Sequence, residues 1–76
     1  MSKQEMLIEY TIQDIVEILS EKLNIDFDEA MRIFYSSETF AKLNDVETGL
    51  YLESTAYINT LLSEELENGL FIQNEI

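Results

Sequence analysis

The first third of the chain repeats apolar residues at intervals of three and four, with acidic residues between them. The repeating apolar positions are Ile8, Ile12, Ile15, Leu19 and Leu23, and the intervening acids are Glu9, Asp14, Glu17 and Glu21. This pattern predicts an amphipathic α-helix over residues 3–23. Leu7, Val16 and Ile18 widen the apolar sector, so we expect neighbouring structure to cover this helix on two sides.

A second helix is predicted to begin after Asp26. Asp26 is followed three residues later by Glu29, a capping-box-like pair in which each side chain can accept a hydrogen bond from an unpaired backbone N–H. Apolar residues then recur at intervals of three and four: Phe27, Ala30, Met31, Phe34 and Tyr35. We expect this face of the helix to be buried.

Two further helices are predicted from hydroxyl residues that suit helix starts. Ser37 is the predicted N-cap of a short helix over residues 38–43, and Ser54 is that of a last helix over residues 55–68. Gly69 lies where glycine commonly ends a helix. Between the two helices, residues 50–52 alternate only briefly, which predicts an extended connector or, as the alternative, a short edge strand.

These elements predict an all-α fold, a small bundle of three to four helices with a short extended connector near residues 50–52. Because no Pro/Gly-rich linker divides the chain, we expect residues 1–76 to form a single helical domain with residues 70–76 as a C-terminal tail. A chain this short buries only about 60% of the surface that its unfolded form exposes. Residues 70–72 are apolar, so we expect them to dock on the body of the domain or on another chain. Because the first helix also has a broad apolar face, we expect a homodimer in which the tail, the first helix or both cross the interface.

The composition excludes several kinds of site. The sequence has no cysteine and no histidine, which removes thiol nucleophiles, imidazole bases and the usual zinc ligands. The acids that follow Asp26 do not match the calcium-loop pattern, which needs alternating oxygen ligands around a glycine. The remaining carboxylates are spread along helical faces rather than paired in a cleft. We therefore predict a protein that is not an enzyme and that has no cofactor and no metal site.

Sixteen acidic residues and four basic ones give the chain a formal net charge of -12. Such a surface repels nucleic-acid phosphates and acidic lipid headgroups, so neither direct nucleic-acid binding nor membrane binding is expected. The acidity either serves only solubility or attracts a basic partner protein. The N-terminal residues interrupt their apolar positions with acids, which predicts neither a signal peptide nor a membrane span and favours a cytoplasmic protein.

The most distinctive part of the sequence is the segment over residues 34–57. Its candidate interaction residues are Tyr35, Ser37, Thr39, Phe40, Thr48, Gly49, Tyr51, Ser54 and Tyr57. Tyrosine is enriched at interface hot spots, whereas hydroxyl residues and glycine suit helix caps and turns. The segment is therefore either a structural signature or a protein-contact surface.

The same segment carries a resemblance to a known family. The run FYSSETFAKL over residues 34–43, the turn ETGL over residues 47–50, and Ser54 with Tyr57 resemble the pattern F-Y-x-S-x-T-[FY]-x-x-L, E-T-x-[LY], S-x-x-Y-[IV] of small bacterial domains of unknown function. The resemblance covers residues 30–66. It implies a small, mostly helical bacterial protein without an assigned activity, in a family with some members beside toxin-like genes.

Charge, composition and resemblance together predict an acidic, non-enzymatic protein-interaction module. The resemblance implies that it acts as an antitoxin-like or immunity-like partner protein. The alternative is a small transcriptional regulator that reaches DNA as part of a complex, because short consecutive helices also suit a helix-turn-helix. Within residues 27–43 only Arg32 and Lys42 are basic against Asp28, Glu29 and Glu38, which disfavours direct DNA contact.

Overall fold

The computed structural model describes the backbone of residues 2–75 and the side chains of residues 2–68. Its elements in chain order are α1 Lys3–Leu23, α2 Phe27–Tyr35, α3 Glu38–Asn44, the one-turn 3-10 helices η1 Val46–Thr48 and η2 Leu50–Leu52, and α4 Thr55–Glu75. No strand occurs in the part of the backbone that is described. The predicted small all-α bundle is therefore confirmed.

The predicted helix starts are confirmed by their hydrogen bonds. Asp26, Ser37 and Ser54 each accept a hydrogen bond from the backbone N–H three residues later, at 2.8, 3.0 and 3.1 Å. Only the Asp26 half of the predicted capping box forms, because the carboxylate of Glu29 lies beside Arg32 instead. At the start of α1, Ser2 and Glu5 form a full capping box that was not predicted. Each of these bonds pairs an N–H that the first turn of a helix leaves without an intrahelical partner.

The core lies where α1 packs against α2, α4 and η2, while α3 contacts α2 and α4. Its buried apolar residues are Ile8, Ile15, Val16, Leu19, Ala30, Phe34, Leu43, Leu50, Ile58 and Leu62. The predicted inward face of α1 is thus confirmed in its central turns, and the polar residue Thr11 is buried there too. Leu7 and Leu23, towards the two ends of α1, are largely exposed.

α2 buries only part of its predicted apolar face. Ala30 and Phe34 are fully buried, but Phe27 and Tyr35 are 50% and 45% exposed, so the prediction that they are buried is wrong. Phe27, Met31 and Tyr35 form one row at intervals of four, and Ala30 and Phe34 form a neighbouring row about 60° around the helix. The first row therefore lies beside the buried face rather than on it.

The predicted extended connector at residues 50–52 is wrong, because these residues form η2. The hydroxyl of Thr48 lies 2.6 and 2.8 Å from two carbonyl oxygens at the end of α3 and accepts a hydrogen bond from the N–H of Leu50 at 3.2 Å. Gly49 has a φ of 72°, in the left-handed region that favours glycine. These features fold the chain into two tight turns that bury Leu50.

The predicted end of the last helix at Gly69 is also wrong, because α4 continues to Glu75. A glycine inside a helix costs only about 1 kcal/mol relative to alanine, which is not enough to force a helix to end. The segment predicted as a tail is therefore helical as far as Glu75. The predicted docking of residues 70–72 concerns side chains that lie outside the described part of the chain.

Candidate functional site

The hydroxyl residues of the segment over residues 34–57 hold the backbone at helix starts and turns. Ser37 is buried, and its Oγ donates to a carbonyl oxygen of α2 at 2.6 Å while it accepts from a backbone N–H of α3 at 3.0 Å. Thr39 is buried as well. At the start of α4, the Oγ of Ser54 accepts a hydrogen bond from a backbone N–H. In η1, the hydroxyl of Thr48 donates a hydrogen bond to a carbonyl oxygen of α3. These four candidate residues therefore have structural roles.

Glu65 of α4 also caps α3, a role that the sequence reasoning missed. One carboxylate oxygen accepts hydrogen bonds from the N–H and the hydroxyl of Thr39, at 2.8 and 2.7 Å, and the other accepts from the N–H of Glu38 at 2.7 Å. Burial raises the pKa of Glu65, but these hydrogen bonds and the nearby charge of Lys42 lower it more. The pKa therefore lies below its usual value, and the carboxylate is charged at neutral pH.

Three aromatic rings meet where α2 joins α3. The ring centroids of Tyr35 and Phe40 are 4.7 Å apart and those of Phe34 and Phe40 are 5.5 Å apart, both in edge-to-face geometry. Phe34 is fully buried and Phe40 is half-buried, whereas Tyr35 extends to the surface. Tyr51 and Tyr57 pair with no other ring among residues 2–68. Of the candidate aromatic residues, the structure thus brings together Tyr35 and Phe40 alone.

A groove of about 210 Å³ runs between α1 and α2, and we call it the aromatic groove. Its lining residues are Glu9, Ile12, Gln13 and Val16 of α1 and Phe27, Met31 and Tyr35 of α2. Val16 is buried and Met31 is half-buried, while Phe27 and Tyr35 are about half exposed. Only Tyr35 was among the predicted site residues. The signal for Phe27 and Met31 was the row of large apolar residues at intervals of four on α2.

The charges around the aromatic groove are mostly negative. Glu9 is the one charged residue that lines it, and Asp28 is exposed beside Phe27 at the start of α2. Arg32 lies on the outer side of α2, where its guanidinium is 3.5 Å from the carboxylate of Glu29. An exposed pair at that distance contributes little to stability, but it partly neutralises the one cation of α2. The groove therefore presents apolar surface beside the carboxylate of Glu9.

Neither a metal site nor a membrane-spanning helix occurs among the described residues. No group of three or more Asp and Glu side chains there is placed so that it would hold a metal ion. No helix in the same part of the chain combines the length and the apolar character that crossing a membrane requires.

Comparison of the chain with protein-family models, with curated proteins and with solved structures found no match. The resemblance of residues 30–66 to small bacterial domains of unknown function therefore stays a prediction. The evidence for the aromatic groove and for the Glu65 cap is the geometry of the structure.

Proposed function

We propose that this protein is a non-enzymatic, acidic interaction module that binds a basic partner protein through the aromatic groove. The observation that carries the proposal is the row of Phe27, Met31 and Tyr35 beside the carboxylate of Glu9. Half-exposed aromatic and methionine side chains are enriched at protein interfaces, where a few such residues supply most of the binding energy. Phe27, Met31 and Tyr35 lie together on one side of a nine-residue helix.

The net charge of -12 supports a basic partner. Charge complementarity speeds association and suppresses partners of the wrong sign. The same charge works against a direct contact with nucleic acid, because that contact depends on clustered Lys and Arg. An antitoxin-like or immunity-like role is the form of this proposal in which the acidic module covers a basic functional surface of another protein.

The structural roles of the hydroxyl residues also support a contact through the aromatic groove. These residues are Ser37, Thr39, Thr48 and Ser54. Their hydroxyls are used to hold α3, α4 and the turns between them. The candidate residues that are left for a partner are the exposed tyrosines. Of these, Tyr35 lines the aromatic groove, so we place it at the centre of the contact.

Affinity capture with the full chain tests the proposal. Captured proteins are identified by mass spectrometry, and the one that is enriched is purified and titrated into this protein by calorimetry at low and high salt. We expect a basic protein whose affinity falls as salt rises. An acidic or salt-insensitive partner would contradict the charge argument. A complex that shifts DNA, when neither component does so alone, would favour a regulator instead.

A further inference from the structure

The aromatic groove is too small for most small-molecule ligands. Its volume of about 210 Å³ lies below the range of about 300–1,000 Å³ that is typical of small-molecule pockets. Its length points to a peptide, because Phe27 and Tyr35 are eight positions apart on the helix, a rise of about 12 Å. Two turns of an incoming helix cover the same distance. Strand addition is not available here, since no sheet edge exists within residues 2–75.

The charges around the aromatic groove favour an incoming helix with a positive charge. Glu9 lines the groove, and the guanidinium of Arg32, the one cation of α2, is 3.5 Å from the carboxylate of Glu29. A helix with Lys or Arg beside its apolar anchors would place these cations near Glu9. A second copy of this chain that docked groove to groove would instead bring a second Glu9 into the same contact. Like charges placed face to face oppose association.

The other two grooves give weaker indications of a partner. A groove of about 200 Å³ between α1 and α4 contains both Lys22 and Glu67, so its charge selects no partner. A polar groove between α3 and α4 includes Glu65, whose carboxylate is occupied in capping α3. Of these three grooves, only the aromatic groove combines exposed aromatic residues with an acidic residue and no basic one.

We infer that the aromatic groove is a helix-in-groove docking site for a cationic amphipathic helix of a partner protein. This inference rests on the proposed function and adds the class of the partner segment. An apolar side chain of the helix sits on Met31 between the rings of Phe27 and Tyr35. A Lys or Arg one turn away pairs with Glu9. This mode of recognition uses apolar anchors at helical spacing.

A synthetic peptide provides the probe. It is an 18-residue helix with Leu at positions one, five, eight and twelve and with Lys and Ala elsewhere, labelled with a fluorophore. One control peptide replaces every Lys with Glu, and another has the same composition in an order that leaves no apolar face. Binding is measured by fluorescence anisotropy, and the contact is mapped by amide chemical-shift changes in NMR spectra of the full chain. We expect binding of the cationic amphipathic peptide alone, with shifts in α2 and the N-terminal half of α1.

Matched variants locate the site. Tyr35→Ala should weaken peptide binding about tenfold or more, whereas Tyr57→Ala, which removes a tyrosine of similar exposure outside the groove, should leave it within about twofold. Glu9→Gln should weaken binding about two- to fivefold and reduce its salt dependence, while Glu21→Gln, on the same helix, should change neither. Tyr35 and Tyr57 are half exposed, so both variants should fold, and circular dichroism checks that they do.

Equal effects of Tyr35→Ala and Tyr57→Ala would overturn the docking site, as would no binding of the cationic peptide at millimolar concentration. Equal binding of the acidic peptide would overturn the class of partner. A docking site that fails in this way leaves the interaction module standing if affinity capture still yields a basic protein. Failure of that capture, with the peptide result intact, would contradict the proposed function rather than the groove.

Discussion

The carboxylate of Glu65 on α4 accepts hydrogen bonds from both the backbone N–H and the hydroxyl of Thr39 in the first turn of α3. A carboxylate at a helix N-terminus is favoured by the helix dipole as well as by the unpaired N–H groups. α3 has only seven residues, and a helix this short is marginal by itself. Glu65 therefore stabilises α3 and fixes α4 against it at the same time.

Glu65→Gln should destabilise the fold by about 1–3 kcal/mol, the range expected when hydrogen bonds lose a charged partner. The amide oxygen can still accept from Thr39, but the amide nitrogen then faces the N–H of Glu38, where two donors oppose each other. Urea denaturation measures the change. The control is Glu64→Gln, an exposed neighbour with the same loss of charge, which should stay within about 0.5 kcal/mol. Equal effects of the two variants would mean that the cap contributes only through net charge.

The Glu65 cap should also make stability depend on pH in acid. Its pKa is lower in the folded state than usual, so its contribution is fully present above the unfolded-state pKa of about 4.3. It is lost as the pH falls through the lower folded-state pKa. The difference in free energy of unfolding between the wild type and Glu65→Gln should therefore be constant above about pH 5 and should shrink below about pH 4. A difference that persists to the acid transition would show that the charge of Glu65 is not involved.

The helix starts were predictable because their signals are local. Asp26, Ser37 and Ser54 each bond an N–H only three residues away, and the residue types that can do so are few. The Glu65 cap was not predictable in the same way, since Thr39 and Glu65 are 26 residues apart in sequence. Only the packing of α4 on α3 brings them together.

The candidate site also contains some features that local sequence predicts and others that depend on how the helices pack. Hydroxyl residues such as Ser37 could be assigned to caps or to contacts from residue type, and the structure assigns them to caps. The aromatic groove depends on how α1 and α2 pack, so the exposure of Phe27 and Tyr35 could not be deduced from spacing. Their row at intervals of four matches a buried face and a flanking face equally well until the neighbouring helices are placed.

Ser54→Ala should lower the free energy of unfolding by about 1 kcal/mol, the usual cost of losing an N-cap. Ser54 accepts a hydrogen bond from the N–H of Tyr57 at 3.1 Å, and no other side chain caps that end of α4 within the described residues. Thr60→Ala is the control, because it also removes a hydroxyl from α4 but only one that bonds the carbonyl of Ala56 within the helix. Alanine has the higher helix propensity, so Thr60→Ala should be neutral or slightly stabilising. Thermal melts of both variants test this contrast.

Gly49→Ala should destabilise the fold by about 1–2 kcal/mol, the cost of a β-carbon in the left-handed region. A β-carbon at Gly49 would meet no atom within 4 Å, so the whole effect should come from the backbone. Asn24 has the same kind of conformation at the end of α1, with a φ of 56°, and Asn24→Gly should be neutral or stabilising. Chemical denaturation of both variants gives the comparison. A Gly49→Ala variant as stable as the wild type would mean that the η turns can adopt another backbone path.

The predicted homodimer has a candidate surface on α1. Met6, Leu7 and Tyr10 are 42%, 43% and 60% exposed, and they lie close together in the N-terminal half of the helix. Lys3 precedes Leu7 by four residues and Asp14 follows Tyr10 by four, so both charges share this side of the helix. In an antiparallel two-fold arrangement, Lys3 of each protomer would approach Asp14 of its partner. Isologous two-fold dimers are the commonest oligomers.

We expect sedimentation equilibrium at about 0.15 M salt, where charge repulsion beyond about 8 Å is screened, to show a dimer at tens of micromolar. Leu7→Glu should dissociate it, because the two-fold axis would bring two added carboxylates together in an apolar contact. Leu52→Glu adds the same charge at a residue that is 69% exposed in η2, and it should leave the dimer intact. A chain ending at residue 68 separates the two predicted interfaces: a dimer that survives this truncation but not Leu7→Glu assigns the contact to α1, whereas the opposite result assigns it to residues 69–76. A full-length chain that remains monomeric at these concentrations would contradict the predicted homodimer.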